Sequence, residues 1–227
     1  MSDLNNSSKT TLVLVRHGNT FLKDQIPTRV GSRTDLDLVE THRSKSVGHY
    51  LKKNGLTPTV IYSSPLKRCL QTAKFAQEAM GTKLHVHIEK LFSEIDYGPD
   101  ENKIEEEVWY RLGSGNLNEG KAIIEQWNSK AIVPNGWIMD TSKIIKEWQD
   151  FGKMIVKKHQ GEVVLVVSSN GVLRFAPYLT HDFDNFSKEN SLKVATGSVS
   201  IFEKITTDSN DVNWKCKKWN EKPYKNS

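Results

Sequence analysis

The sequence predicts an α/β fold: a three-layer α/β/α sandwich with a mostly parallel central sheet. Three observations predict it. Short apolar, β-branched runs alternate with helical patterns along the 227 residues. The runs are apolar on consecutive residues, as strands covered on both faces are. No internal repeat or low-complexity block interrupts the alternation.

The strand candidates, in order, are 11–16, 59–63, 84–88, 163–168, 198–204 and 212–218. Leu66, Cys69, Leu70, Ala73, Ala76 and Met80 fall on one helical stripe, and Ile144, Ile145, Trp148, Phe151 and Ile155 on another. Pro65 stands just before the first stripe, a suitable helix start, and Gly161 just after the second, near a helix stop. The stretch 98–140 is less regular. It holds Trp109, Trp127 and Trp137, the acidic Glu105 to Glu107, and Gly113-Ser-Gly115. It reads either as an insertion capping a pocket or as a helical hairpin whose tryptophans are core. The expected organisation is a disordered segment 1–10, a single domain over 11–220 and a frayed tail 221–227.

Composition narrows the function classes. The chain is 37% hydrophobic and 26% charged, enough for one well-buried domain. Met1 to Lys9 contain no apolar run, and no later segment is apolar enough to span a membrane. A soluble, cytoplasmic protein without membrane partners is expected. Two cysteines, Cys69 and Cys216, make no disulfide framework and no metal spacing. Cys69 is expected in the core. The net charge of +5 is read as a solvated lysine-rich surface. The tail from Lys215 to Lys225 mixes lysine with aromatics and reads as an edge strand blunted by lysines. No nucleic-acid motif is present, so a nucleic-acid partner is not expected.

Three segments carry chemistry. In Leu12-Val-Leu-Val-Arg16-His17-Gly18-Asn19-Thr20 a strand runs into Arg-His-Gly. The end of such a strand is where α/β sheets bind ligands. Imidazole is a nucleophile near neutrality, and the adjacent guanidinium offers a fork of donors to phosphate oxygens. The alternative for His17 alone is a structural strand-end histidine. In Ile61-Tyr-Ser63-Ser64-Pro65-Leu66-Lys67-Arg68, hydroxyls sit in the turn and Arg68 in the first turn of a helix. Free amides and the dipole there favour an anion. In Leu91-Phe-Ser-Glu94-Ile-Asp96-Tyr97-Gly98, Glu94 is a candidate proton donor, and Asp96 is expected to orient a neighbour or close a turn.

These segments, in this order, resemble the histidine phosphatase superfamily, the phosphoglycerate mutase-like group. The match runs from about Thr11 to Glu203 and includes Gln71-Thr72-Ala73 and the segment from Val30 to Thr41. The resemblance implies a phosphoglycerate mutase-like fold with no metal and no cofactor. It implies that His17 becomes phosphorylated, that Arg16 and Arg68 hold the phosphoryl group with Asn19, and that Glu94 donates the proton.

One element of the family pattern is missing. A second histidine, normally in Ser-His-Gly, should follow a late strand. This chain reads Val167-Ser168-Ser169-Asn170-Gly171 there. Alignment on the strand and Arg174 puts Ser169 in the histidine's place; alignment on the glycine puts Asn170 there. Either residue can hydrogen-bond a phosphate oxygen, and neither carries charge. His42, His49, His85, His87, His159 and His181 are expected at the surface or in the core, and His85 with His87 makes no metal site. The Glu-Arg-Arg segment of cofactor-dependent mutases has no counterpart in Glu105 to Gly113, so mutase activity is not expected. Arg29, Arg33 and Lys103 are candidates for a second anionic group, with solvated side chains as the alternative. The expected function is phosphomonoester hydrolysis on a small phosphorylated molecule, slowed by the missing histidine. The alternatives are a phosphate-ligand-binding protein without turnover, or a partner-binding protein using the tryptophan-bearing insertion. Oligomeric state is not legible.

Overall fold

The computed structural model describes residues 8–206 and 213–225. A six-stranded sheet lies at the centre, in the order β3-β2-β4-β1-β5-β6. Its strands are β1 (Ser8–Arg16), β2 (Val60–Ser63), β3 (Val86–Ile88), β4 (Val163–Ser168), β5 (Val199–Thr206) and β6 (Lys215–Glu221). The pairs β2–β3, β2–β4 and β1–β4 are parallel. β5 runs antiparallel to both β1 and β6. The sheet is mostly parallel with helices on both faces, as expected.

The strict alternation of β1 divides the core. Leu12 and Leu14 face one side with Tyr62, Val164 and Val166, and pack against Trp148, Phe151 and Ile155 of α5 (Thr141–Lys158). Val13 and Val15 face the other with Ile61, Leu165 and Val167. They meet Val47 and Leu51 of α1 (His42–Lys53), and Cys69, Ala73, Ala76 and Met80 of α2 (Lys67–Met80). Both helical stripes read from the sequence are therefore the core faces of their helices.

The stretch 98–140 contains α3 (Glu105–Leu112) and α4 (Leu117–Lys130), packed together. The Asn116 side chain caps α4 by accepting from the amides of Asn118 and Glu119. Trp127 and Trp137 are buried and meet edge to face with centroids 5.2 Å apart, while Trp109 is half-buried.

Some boundaries differ from expectation. β1 begins at Ser8 rather than after residue 10, because 8–10 pair with 204–206 of β5. The last strand starts at Lys215, since Trp214 is buried in the core just before it, and residue 212 lies outside the described residues. The tail does not fray from 221. Pro223–Lys225 forms a 3-10 turn packed on α1, with the Arg43 guanidinium 4.1 Å from the Tyr224 ring centroid. Residues 1–7 and 226–227, the outer parts of the two expected loose ends, lie outside the described residues. Among the described residues, no helix is long and apolar enough to cross a membrane.

Candidate active site

The carboxyl ends of β1, β2 and β4 lie side by side in the sheet, where a parallel sheet usually forms its ligand crevice. Arg16 lies opposite Ser168 in register, and Ser63 opposite Val167. The His17 amide donates to the Ser168 carbonyl at 3.0 Å, so the chain leaves β1 still attached to β4.

His17 is buried, with 6% of its surface exposed. Its Nδ1 is 2.8 Å from the Gly18 carbonyl oxygen. A carbonyl only accepts, so Nδ1 carries the hydrogen and Nε2 keeps a free lone pair. Burial holds the imidazole well below its ordinary pKa, with Arg16 and then Arg68 adding to the effect and the Gly18 contact opposing it. The ring is therefore neutral at physiological pH. Both arginines act on it electrostatically from separate elements.

Arg68 is fully buried on the first turn of α2. It donates through Nη1 to the Thr34 carbonyl at 2.8 Å and through Nη2 to the Gly31 carbonyl at 3.2 Å. Arg16 donates through Nη1 to the Val194 carbonyl at 2.6 Å. The Nε of each guanidinium is buried without a partner. Desolvation lowers the Arg16 pKa, Glu94 and Tyr97 oppose that, and Arg68 and Arg43 reinforce it. Two under-bonded cations beside one imidazole are suited to a tetrahedral anion.

The start of α2 corrects one expectation. The amides of Leu66 and Lys67 are not left free for a ligand. Leu66 donates to Ser64 Oγ at 3.2 Å, and Lys67 to Asp35 Oδ1 at 2.7 Å. Arg68 itself, not the helix terminus, is what this element presents. Thr72 ties the two segments together, accepting from the Gly18 amide at 3.0 Å and donating to the Arg68 carbonyl at 2.7 Å.

Glu94 is buried beside this group. Its Oε1 accepts from the Ile95 amide at 2.9 Å and its Oε2 from the Gly171 amide at 3.1 Å. The fit is close: a Cβ at Gly171 would lie 2.2 Å from Glu94 Oε1. Glu94 acts electrostatically on Arg16 and on Arg174, the latter fully buried and lowered to about 9 mainly by desolvation. Asp96 closes the turn by accepting from the Gly98 amide at 2.7 Å, and takes the Arg33 Nε at 3.1 Å.

On the β4 side, Ser169 is fully buried at the N-cap of the short helix α6 (Asn170–Leu173). Its Oγ lies 3.8 Å from Cys69 Sγ. Burial pushes that thiol up to about 11, so it stays protonated. Asn170 is half-buried, with Oδ1 accepting from the Val194 amide at 2.9 Å. His159 bonds Tyr62 and Glu162 at 3.1 and 3.0 Å, and His85 meets His87 ring to ring at 4.9 Å. The candidates for a second anionic group are paired within the chain: Arg29 with Glu105, Arg33 with Asp96 and Lys103 with Glu107. Among the described residues, no group of three or more His, Cys, Asp or Glu is placed to hold a metal ion.

Sequence reasoning overlooked the loop 194–198, which frames the crevice. Its Val194 and Ser198 carbonyls take Arg16 Nη1 and the Arg16 amide. Its Gly197 amide donates to the Arg16 and His17 carbonyls, both at 3.0 Å. Thr196 Oγ1 donates to Asn19 Oδ1 at 2.6 Å. The loop has no periodic pattern; Thr196-Gly197 ahead of a strand was the one available signal.

Comparison with known proteins agrees with this architecture. Residues 12–222 match the profile of the histidine phosphatase superfamily, branch 1. A 2,3-bisphosphoglycerate-dependent phosphoglycerate mutase of Corynebacterium jeikeium is 36% identical over 81 residues, spanning 35% of this chain and 31% of that enzyme. A metal-independent phosphoserine phosphatase of Arabidopsis thaliana is 28% identical over 169 residues, 74% of this chain and 67% of the relative. Among solved structures, a phosphoglycerate mutase from Bacillus anthracis superposes with a TM-score of 0.75 at 21% identity, over 97% of this chain and 96% of the other. A phosphoserine phosphatase from Entamoeba histolytica, in complex with phosphoserine, gives 0.67 at 21% identity, over 95% and 98%.

Proposed function

The chain belongs to the histidine phosphatase superfamily, and we propose that it hydrolyses phosphomonoesters of small metabolites through a phosphohistidine on His17. Nε2 attacks phosphorus and the bond from phosphorus to the ester oxygen breaks. Glu94, as general acid, gives a proton to the leaving oxygen. Water then attacks the phosphoramidate, the N–P bond breaks, and Glu94 takes back a proton as inorganic phosphate forms. Arg16, Arg68 and Asn19 hold the equatorial oxygens. The observation that supports the reading most strongly is the neutral, buried His17, its Nε2 free, beside two guanidinium groups that each keep a buried, unpartnered Nε. The relatives named above include enzymes of phosphoglycerate and phosphoserine chemistry, which favours a small phosphorylated substrate.

The sealed Ser169 favours a second reading, in which the protein binds a phosphorylated ligand without turning it over. One experiment separates the two. At high enzyme concentration with p-nitrophenyl phosphate, hydrolysis requires steady phosphate release that His17→Ala removes, and acid-labile phosphate on the wild-type chain. Equal release by wild type and His17→Ala overturns the hydrolase reading. Ligand binding abolished by Arg68→Ala, without turnover, establishes the second.

A further inference from the structure

Asn19 lies two residues beyond His17 and is half-buried. Which end of its amide faces the crevice decides its value to an anion. The nitrogen donates to an oxyanion; the oxygen repels it. A relay of hydrogen bonds favours one orientation. Arg43, on the first turn of α1, donates through Nη1 to Thr196 Oγ1 at 2.7 Å and to the Thr196 carbonyl at 3.0 Å. A guanidinium has no acceptor, so at this contact the threonine hydroxyl accepts. Its single hydrogen is left for Asn19, 2.6 Å away. The Asn19 atom there is Oδ1, which accepts it, and the amide nitrogen is turned from Thr196.

Arg43 is itself held from outside the crevice. Its guanidinium stands 4.1 Å from the Tyr224 ring centroid, in the C-terminal turn, and its Nε is 3.9 Å from Glu40 Oε1. Gly197 keeps the approach open. Its φ is +68°, and a Cβ there would meet Arg43 Cβ at 2.7 Å.

We infer that Arg43 and Thr196 are positioning residues that lock the Asn19 amide with Nδ2 toward the bound oxyanion, and that Tyr224 anchors the relay. This rests on the reading above that Asn19 contacts the phosphoryl group. The relay matters more here than it would beside a second histidine, because a neutral donor then supplies a larger share of the contacts.

The test compares orthovanadate affinity by calorimetry, and kcat and KM on p-nitrophenyl phosphate, for wild type, Thr196→Val, Thr196→Ser, Asn19→Ala and the Asn19→Ala/Thr196→Val double variant. Thr196→Val is expected to weaken vanadate binding about tenfold, while Thr196→Ser stays within about twofold of wild type. In the Asn19→Ala background, Thr196→Val is expected to have no further effect, which a merely structural threonine would not satisfy. Arg43→Met is expected to follow Thr196→Val. Wild-type affinity in Thr196→Val, an equal loss in the Asn19→Ala background, or no vanadate binding by wild type overturns the inference. Turnover that does not depend on His17 removes the hydrolase reading instead, and the affinity comparison still decides the relay.

Discussion

The two sides of the crevice are built differently. The β1–α2 side carries formal charge: Arg16 and Arg68 flank His17, and each keeps a buried Nε without a partner. The β4 side carries the neutral Ser169 and Asn170, and the oxygen of each is already in contact with another residue, Cys69 Sγ for Ser169 and the Val194 amide for Asn170. Glu94, held by two backbone amides, and Arg174, over the Trp127 ring of α4, bring charge to this side. On the β4 side Arg174 also keeps Nε and Nη2 buried without a partner, but it stacks 3.6 Å from the Trp127 ring centroid and gives Nη1 to the Trp127 carbonyl, away from the neutral Ser169 and Asn170. Ser169 is fully buried and leaves no exposed surface on this side.

The largest effect should come from the charged side. Arg68→Met removes the buried cation and two ties to the loop before α1, and is expected to lower kcat/KM by about 10²–10³. A loss under threefold would shift the burden of anion binding to the other side. Gly171→Ala tests the neutral side through Glu94, which the added methyl must displace. Loss of a general acid costs about 10² or more in rate when the leaving group needs a proton. In kcat/KM, which reports transfer to His17, alkyl phosphates should therefore suffer, and p-nitrophenyl phosphate, whose leaving group needs no proton, should not. Equal losses on both substrates would place Glu94 outside proton transfer.

Ser169→His addresses the neutral side directly. Ser169 is fully buried against Cys69, so an imidazole overpacks the site. A destabilisation of about 1–3 kcal/mol is expected, read as a lower denaturation midpoint, with no gain in kcat. A rise in kcat at unchanged stability would mean that the side is open after all.

The smallest effect is one of pH. His17 has a folded pKa well below its unfolded value near 6.5. As pH falls below 6.5 the unfolded chain takes up a proton that the folded chain refuses, so stability falls toward the depressed folded pKa. Above 6.5 both states are neutral and His17 contributes no pH dependence. His17→Gln should flatten the acid side of the stability curve. An unchanged slope would place the imidazole in contact with water.

The parts of this molecule legible in its sequence are those with short-range signatures. β1, β2 and β4 are apolar on consecutive residues because both faces are covered, and α2 and α5 carry clear stripes. Arg16 and His17 were legible because they close β1, and Arg68 because it opens α2; Glu94, in the loop beyond the 3-10 turn Lys90–Phe92, was read from its own segment instead. The amides at the start of α2 misled, because their partners, Ser64 Oγ and Asp35, are side chains that no backbone pattern reveals. The loop 194–198 was invisible for a related reason. Its role rests on contacts to Arg16, His17, Asn19 and Arg43, which lie more than 150 residues earlier. The C-terminal turn resembled a fraying tail because its anchor is a cation over a ring, formed with α1 at the other end of the chain.

The central claim is convergence on one anion, and a crystal structure with orthovanadate tests it most directly. Vanadium should bond His17 Nε2, with oxygens on the guanidinium groups of Arg16 and Arg68 and no contact from Ser169. Vanadate bound away from His17, or held on the β4 side by Ser169 without the two arginines, would contradict it.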